Sequence, residues 1–332
     1  MGAAERLAGI AAGVGAAVPA AASAGGDEAE EQRDAPWTHG SWAGDHEIPE
    51  RGQCRFTVPI RSDWPGSNRG AGGGVSGTIL AGLVDMAAVK AAQSLWRQGE
   101  VYNGTVELNI SYIRVATGVY ITVDATVLRK GRTMCFVDVD IKDDHERLVA
   151  KGRIAYSLSQ PEDGSSTADA PFFHPDSFLE KMPFEHADFS ADVNFDEPGH
   201  CNYRCTIDPE WQRGGLLAGE AGTPARTAAR LTQRGGLKGT ILAALTDVST
   251  VSAVGTVIEE GEVMQGTVEL SISYIRPAAG SCIDATAKVT RKGKGVAFAE
   301  CTLTDDQERT VASGRIVYSI GRVALASEKA AE

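Results

Sequence analysis

The sequence predicts an α+β protein made of two tandem copies of one domain, each with a long helix wrapped by an antiparallel sheet. The first observation is an internal repeat, because the segment from Gly77 to Asp85 recurs from Gly239 to Asp247, 162 residues further along. A repeat of this length is a whole domain rather than one unit of a solenoid. The second observation is that each copy contains one stretch of helical apolar spacing, which is followed by stretches of alternating apolar and polar residues.

The elements of the first copy follow from these patterns. Residues 77–96 place apolar side chains at helical spacing, and Ser76 before them suits a helix N-cap. Alternation and turn signals predict strands at residues 53–60, 105–114, 119–128, 133–141 and 148–158. The second copy repeats the pattern after a strand near residues 202–208, with an insertion at about 212–233 that is read as a flap or a disordered loop.

The connections differ in composition from the two copies. Residues 1–50 begin with low complexity and are predicted to be flexible. Six of the nine phenylalanines lie between residues 172 and 195, so this connection is expected to pack onto the protein, either by simple docking or over a substrate tunnel. The predicted organisation is an extension at 1–50, a domain at 51–160, a Phe-rich connection at 161–200, a domain at 201–322 and a tail at 323–332.

Charge and cysteine usage disfavour several classes of protein. The net charge of −12 and the pI of about 5.1 argue against nucleic acid as a general partner, because such a surface repels phosphate backbones. Six cysteines without a CxxC pair favour a reduced, cytoplasmic protein over a disulfide framework or a zinc site. No apolar run resembles a membrane span. The N-terminal segment ending in Ala22-Ser-Ala24 leaves secretion open.

One aspartate stands in the middle of each predicted helix. Asp85 and Asp247 have apolar or β-branched neighbours, and a buried carboxylate is costly unless it is paired or used in chemistry. Each helix begins with a glycine, Gly77 or Gly239, where unpaired backbone N–H groups and the helix dipole favour an anionic oxygen. The plain alternatives are a structural hydrogen bond for each aspartate and a tight loop-to-helix junction at each glycine.

The glycine and the aspartate of one helix cannot meet on one small carbonyl group. Asp85 lies eight residues after Gly77, which is roughly 12 Å along a helix axis. If both act on one substrate, they must come from different helices. Antiparallel packing of the two helices would place Gly77 opposite Asp247 and Gly239 opposite Asp85, which predicts two composite sites between the copies.

These residues resemble the motifs of hotdog-fold acyl-CoA thioesterases of the phenylacetate-pathway (PaaI-like) type. The family has His-Gly-Gly followed by a catalytic aspartate, and here Ser76-Gly-Thr78 and Lys238-Gly-Thr240 take those positions. The family's strand Ser or Thr matches Thr105 and Thr267, and Tyr274-Ile-Arg-Pro277 matches its Tyr-x-x-Pro segment. The resemblance implies two tandem hotdog domains and covers about residues 53–158 and 202–320.

The chain departs from the family motif at two points. The motif histidine is missing from both copies. The asparagine that precedes the motif is matched by Asn68, which lies further from its glycine than in the family, and the second copy offers Gln233 instead. The resemblance implies substrate-binding roles for Asn68, Ser76, Thr78, Gln233, Lys238 and Thr240.

The implied reaction is hydrolysis of an acyl-CoA to the free acid and CoA, with CoA as part of the substrate and with no separate cofactor or metal. A glycine amide would polarise the thioester carbonyl, an aspartate would act as general base or nucleophile, and a threonine would position water. In that order the residues are Gly77, Asp247 and Thr267 in one site and Gly239, Asp85 and Thr105 in the other. An apolar surrounding is expected to raise the pKa of each aspartate.

Two basic turns are candidates for the phosphates of CoA, because clustered cations suit phosphate. A solvated hairpin turn is an equal alternative for both. The candidate residues are Arg129, Lys130 and Arg132 in the first copy and Arg291, Lys292 and Lys294 in the second.

The sequence also bears on functions other than thioester hydrolysis. Hydratases of this fold need a histidine five residues after the aspartate, where this chain has Lys90 and Ser252. A non-catalytic protein that binds acyl-CoA or a lipid is the alternative, because the motif histidines are missing. One working site beside a degenerate site is a third reading: Ser76 and Asn68 favour the Gly77–Asp247 site, and Lys238 favours the other as an anion binder. Exposed sheet and helix surfaces leave a homodimer of two such chains open.

Overall fold

The computed structural model describes residues 46–60, 74–97, 100–159, 191–207, 237–278 and 280–322. The elements of the first repeat are β1 (Gln53–Pro59), α1 (Gly77–Gln93), β2 (Val101–Tyr112), β3 (Tyr120–Lys130), β4 (Met134–Asp143) and β5 (Leu148–Ser159). Those of the second are β6 (Ala191–Asn194), β7 (His200–Thr206), α2 (Gly239–Gly255), β8 (Glu262–Tyr274), β9 (Cys282–Lys292), β10 (Val296–Asp305) and β11 (Thr310–Arg322).

In the described part of the chain, eleven strands form one antiparallel sheet in the order β1-β3-β4-β5-β2-β8-β11-β10-β9-β7-β6. The two repeats meet at its centre, where β2 pairs with β8. Asn109 lies opposite Ser271 in this pairing, and the two occupy equivalent positions in their repeats. The sheet is therefore close to two-fold symmetric about this pair, as expected for two tandem hotdog domains.

Each helix lies closely against its own half of the sheet because a glycine stands at the crossing point. A Cβ atom on Gly152 of β5 would lie 2.5 Å from Val84 Cγ1, and one on Gly314 of β11 would lie 2.5 Å from Thr246 Cγ2. Both distances are too short for real atoms. The close approach buries most of each helix, and each fully buried Leu or Ile contributes about 1.5–3 kcal/mol.

The two helices differ in the polarity of their buried faces. In α2 the hydroxyls of Thr246, Ser249, Thr250 and Ser252 are buried, and each lies 2.7–2.8 Å from the backbone carbonyl four residues earlier. The equivalent residues of α1 are Val84, Ala87, Ala88 and Lys90. Because the backbone satisfies these hydroxyls, α2 can bury them without the cost of unpaired polar groups.

Both outer edges of the sheet carry the same short pairing. Strand β6 pairs with β7, with Asn194 opposite Asn202. At the other edge Glu47 forms an isolated bridge with Arg55, at equivalent positions before β1. Strand β6 was not predicted and falls within the segment assigned to the Phe-rich connection. Glu47 falls within the segment assigned to the N-terminal extension.

Several predicted features lie outside the described residues, namely the insertion at 212–233, most of the extension and all the phenylalanines of the connection except Phe195. Phe195 is partly buried and packs against the hydrophobic core. Neither helix of the described ranges is long and apolar enough to cross a membrane.

Candidate active site

The first turn of α1 meets the third turn of α2. Thr78 Oγ1 donates a hydrogen bond to Asp247 Oδ2 at 2.9 Å, although 169 positions separate the two residues in the chain. Ser76 caps the helix and accepts from the Thr78 backbone N–H at 3.3 Å. The start of the first helix and the aspartate of the second are therefore parts of one composite site.

Two hydroxyl groups hold the Asp247 carboxylate. Besides Thr78, the Tyr318 hydroxyl donates to Asp247 Oδ1 at 3.0 Å, and the nearby Thr267 side chain contributes to lowering the pKa of the carboxyl group. Thr267 on β8 and Tyr318 on β11 lie directly opposite each other in the sheet. The strand pairing therefore places two hydroxyl side chains side by side near the aspartate.

Burial raises the pKa of Asp247 above its ordinary value of 3.8. The hydroxyls of Thr78, Tyr318 and Thr267 act in the opposite direction, because they donate to the ionised form. The residue keeps part of its surface accessible even though protein atoms surround the carboxylate densely. A carboxylate with these properties takes up a proton more readily than one in water.

Two tyrosines complete this site. The Tyr318 hydroxyl also lies 3.1 Å from the Asp247 backbone oxygen and 2.8 Å from Thr250 Oγ1. Tyr112 comes from the first repeat, and its pKa is raised well above its ordinary value by burial and further by the Asp247 charge. Both phenols therefore stay neutral near the carboxylate, and Tyr318 is the one that donates to it.

Tyr112 also explains why α1 begins with glycine. Its hydroxyl donates to the Gly77 carbonyl at 2.9 Å, and a Cβ atom on Gly77 would lie 3.3 Å from its ring. Tyr274 contacts Gly239 in the same way, with a hydrogen bond of 2.9 Å. Tight packing against a tyrosine therefore favours glycine at each position, alongside the predicted role in polarising a carbonyl.

Asp85 occupies the equivalent place in the other half of the molecule. Tyr156 donates to Asp85 Oδ1 at 3.2 Å and lies 3.3 Å from its backbone oxygen. The hydroxyls of Thr105 and Tyr102 lie 3.2 Å apart, and the Tyr102 ring packs edge-on against Tyr156 with centroids 5.3 Å apart. This site therefore has an aromatic contact where the second repeat has Met264 in place of Tyr102.

The residues predicted near the α2 N-terminus are Lys238 and Thr240, the equivalents of Ser76 and Thr78 in the first repeat. Lys238 takes the N-cap position, is buried and makes no side-chain cap hydrogen bond. Thr240 is buried in the first turn, at the position equivalent to Thr78. Asn68 and Gln233 lie outside the described residues.

The structure divides the predicted basic turns into two kinds of residue. Lys130 Nζ lies 2.6 Å from Glu100 Oε1, and these side chains are only 10% and 3% exposed. Lys292 Nζ lies 2.6 Å from Glu262 Oε2 and 3.3 Å from Glu259 Oε1. Both lysines are therefore held by carboxylates at the end of a hairpin. The remaining predicted cations are exposed: Arg129, Arg132, Arg291 and Lys294.

One group in the described ranges brings metal-ligand atoms within 4.8 Å of one another, and it consists of Asp143, Asp144 and His145. Arg147 pairs with Asp143, and Asp144 accepts from the Val119 backbone N–H. The turn is thus satisfied by protein contacts, and its chemistry indicates a structural role.

Four residues around the two aspartates were not predicted from the sequence, namely Tyr318, Tyr156, Tyr102 and Thr250. Tyr156 and Tyr318 carry a usable signal, because they are equivalent residues that stay tyrosine in both repeats. Their role depends on which strand lies next to the aspartate, and the repeat pattern alone does not predict that arrangement.

Comparison with known proteins identifies the family. The model of the thioesterase superfamily matches residues 72–150 and 236–312, one segment in each repeat. A protein of Halobacterium salinarum named as a candidate esterase is 35% identical over 115 residues, which cover 32% of this chain and 74% of that protein. The chain belongs to the thioesterase superfamily. Membership of the superfamily supports thioester hydrolysis as the general class of reaction.

Other proteins similar to this superfamily member are named as esterases or have a hotdog fold. A candidate esterase of Caenorhabditis elegans is 38% identical over 72 residues, which are 21% of this chain and 41% of that relative's length. A hotdog-fold protein of unknown function from Alicyclobacillus acidocaldarius is 16% identical with a TM-score of 0.51, covering 84% of this chain and 96% of the other. The tesB protein of Mycobacterium avium subs paratuberculosis is 12% identical with a TM-score of 0.52, covering 83% and 96%. These structures confirm the predicted hotdog fold of the superfamily member.

Proposed function

We propose that this member of the thioesterase superfamily is an acyl-CoA thioesterase, which hydrolyses an acyl-CoA to the free acid and CoA. Family membership and the motif resemblance support the reaction class. The observation that carries the proposal is the Asp247 carboxylate, which is held by hydroxyls from both repeats beside the N-terminus of α1. That arrangement joins a base to a helix start that suits a developing oxyanion.

In the proposed reaction Asp247 acts as general base. Its carboxylate takes a proton from water while the water oxygen bonds to the thioester carbon, and the carbonyl oxygen becomes an oxyanion. The oxyanion then collapses, the C–S bond breaks, and the CoA thiolate takes the proton back from Asp247. Atoms and protons balance over the two steps with water and Asp247 alone, so the proposed reaction requires no cofactor. Proton transfer by a positioned base typically accelerates a reaction about 10²–10⁴-fold.

The first turn of α1 would stabilise the oxyanion. Gly77 begins this helix, and its backbone N–H belongs to the set that has no partner within the helix. Thr78 next to it bonds Asp247, which sets the distance between helix start and base. In the second site the helix start and the base would be Gly239 and Asp85, and Thr105 is the equivalent of Thr267.

The exposed cations of the hairpins would bind the phosphates of CoA. Four of these cations are exposed to solvent, namely Arg129, Arg132, Arg291 and Lys294. By contrast, Lys130 and Lys292 form ion pairs with buried carboxylates at the base of each hairpin. Guanidinium groups suit phosphate because they donate in a planar fork.

The test is hydrolysis of short, long and aromatic acyl-CoA substrates, followed by release of free thiol. The wild type, Asp85→Asn, Asp247→Asn and the double variant are compared after circular dichroism shows that each is folded. Loss of turnover in the double variant supports the proposal. Binding of acyl-CoA without turnover of any substrate would instead favour the non-catalytic binding protein.

A further inference from the structure

The Tyr318 hydroxyl touches Asp247 at two points. It lies 3.0 Å from Oδ1 and 3.1 Å from the backbone oxygen of the same residue. A contact that bridges main chain and side chain restricts how the carboxylate can rotate. Thr78 holds the other carboxylate oxygen, Oδ2, at 2.9 Å. Both oxygens of the carboxylate are therefore fixed by hydroxyl groups.

Thr250 fixes the position of Tyr318 in turn. Its Oγ1 lies 2.8 Å from the Tyr318 hydroxyl and 2.7 Å from the Thr246 carbonyl oxygen. Because Tyr318 donates its one proton to Asp247, the Thr250 hydroxyl is the donor to the phenol oxygen. Thr250 is three residues after Asp247 on α2, and both Thr250 and Tyr318 are buried. The phenol is therefore held by the same helix that carries the aspartate, one turn further on.

The first repeat has different chemistry at these positions. Ala88 stands at the position of Thr250, and it has no hydroxyl to offer Tyr156. Tyr102 stands at the position of Met264, and its hydroxyl lies 3.2 Å from Thr105 Oγ1. Tyr156 is thus packed by an aromatic ring where Tyr318 is held by a hydroxyl.

We infer that Tyr318, braced by Thr250, is a positioning residue for Asp247, and that the Asp247 site is therefore the principal site of hydrolysis. The inference rests on the proposed thioesterase function and assigns that function to one of two non-equivalent sites. A base whose carboxylate is held in one orientation keeps water in line with the thioester carbon more often than a rotating one does.

Tyr318→Phe removes only the hydroxyl and is the first variant to test. Its kcat is expected to fall about tenfold while KM changes little, because the base is misdirected but the substrate surface is intact. In the described ranges the titratable groups that act on Asp247 are Tyr112 from β2 and Tyr318 from β11, and both stay neutral over the assay range. The acid limb of the kcat/KM profile should therefore move to higher pH, because a donor to the carboxylate is lost.

Three further variants serve as controls. Tyr203→Phe removes another buried phenol that contacts α2, since the Tyr203 hydroxyl lies 3.1 Å from Ser252 Oγ, and it should leave kcat and the pH profile unchanged. Thr250→Ala should reproduce part of the Tyr318→Phe defect, and Thr250→Ser should restore activity because it keeps the hydroxyl. Tyr156→Phe should cost less activity than Tyr318→Phe.

A second readout does not depend on turnover. Protein labelled with ¹³C at the aspartate carboxyl gives a resonance for Asp247 that is assigned by its loss in Asp247→Asn. Its titration midpoint should be higher in Tyr318→Phe than in wild type and unchanged in Tyr203→Phe. If no acyl-CoA is hydrolysed by the wild type, the proposed function fails while this titration still reports on the contact.

Two results would overturn the inference. One is a Tyr318→Phe variant with wild-type kcat, pH profile and Asp247 titration. The other is an active enzyme in which Tyr156→Phe is at least as damaging as Tyr318→Phe, because the Asp85 site would then dominate.

Discussion

Thr78 Oγ1 in the first helix lies 2.9 Å from Asp247 Oδ2 in the second, which makes the candidate active site a product of two repeats rather than of either alone. Neither repeat by itself contains both the helix start and the aspartate of this site. The contact gives a physical reason why both copies are present in one chain.

Thr78→Val is therefore expected to lower kcat. Valine has nearly the same shape, so the packing survives while a charge-directed hydrogen bond worth about 1.5–3 kcal/mol is lost. Because Thr78 lowers the pKa of Asp247, its removal should also move the acid limb of the rate profile to higher pH. Kinetics from pH 4 to 9 would show both effects. Thr240→Val is the matched change in the other repeat, and an equal or greater loss there would contradict the assignment.

The raised pKa of Asp247 also predicts how stability depends on pH. Burial raises the folded-state pKa above the ordinary 3.8, so the folded protein holds the proton more tightly than the unfolded chain. The contribution to stability is complete below pH 3.8 and is lost as pH rises through the folded pKa. Urea unfolding of wild type and Asp247→Asn should show a difference in unfolding free energy that decreases over that range. A difference that is constant with pH would contradict the raised pKa.

Asp305 should behave in the opposite way. The hydrogen bond from Arg309 is the main reason that its pKa lies below 3.8. Its contribution to stability is present above the ordinary value and is lost as pH falls through the folded pKa. Asp305→Asn should therefore lower the unfolding free energy at neutral pH, and the loss should shrink in acid. Measuring Asp305→Asn and Asp247→Asn at the same pH values should show that the two contributions to stability change in opposite directions with pH.

The repeat pattern was sufficient to predict much of the fold. The predicted helix at residues 77–96 is observed at Gly77–Gln93, and the predicted strand at 105–114 is observed at Val101–Tyr112. These elements carry strong local periodicity, so the sequence shows them directly. Strand β6 has only four residues, which is too short for an alternating pattern to be recognised in the sequence. It is a strand because it pairs with β7 at the sheet edge.

The site was predictable only in part, because its remaining contacts depend on strand register. Asp247 and Thr267 stand in repeated motifs, whereas Tyr318 reaches Asp247 because β11 places it opposite Thr267. The ion pair of Lys130 has a similar origin. Glu100 precedes β2, and nothing in the local sequence links it to a hairpin thirty residues later.

That ion pair leads to a prediction about the basic turns. Lys130→Met leaves the Glu100 carboxylate buried without its cation, which should cost about 3–5 kcal/mol of stability. Arg129→Ala removes an exposed cation and should leave stability unchanged while raising KM for acyl-CoA. Thermal unfolding and steady-state kinetics of both variants distinguish the two roles. A stable Lys130→Met variant with a raised KM would instead place Lys130 on the substrate.

The close approach of helix and sheet gives a further prediction. Gly314→Ala places a methyl group 2.5 Å from Thr246 Cγ2, next to Asp247, and overpacking of this kind costs about 1–3 kcal/mol. Displacement of α2 from β11 should also weaken the Tyr318 contact and reduce kcat. Adding Thr246→Ser removes the methyl in the way and should recover much of both losses. Gly295→Ala is a control, because a Cβ there meets nothing within 4 Å.

The last prediction distinguishes a general base from a nucleophile. A nucleophilic Asp247 would form a mixed anhydride with the acyl group, and water attack at its carboxyl carbon would transfer solvent oxygen into the protein. Both carboxylate oxygens of Asp247 accept hydroxyl hydrogen bonds, which lowers their nucleophilicity and leaves proton transfer to water as the expected route. After turnover in H₂¹⁸O, mass spectrometry should find ¹⁸O in the released acid and none in the peptide that contains Asp247. Turnover with hydroxylamine should leave that peptide unmodified, whereas an ¹⁸O label or a hydroxamate on Asp247 would establish the covalent route.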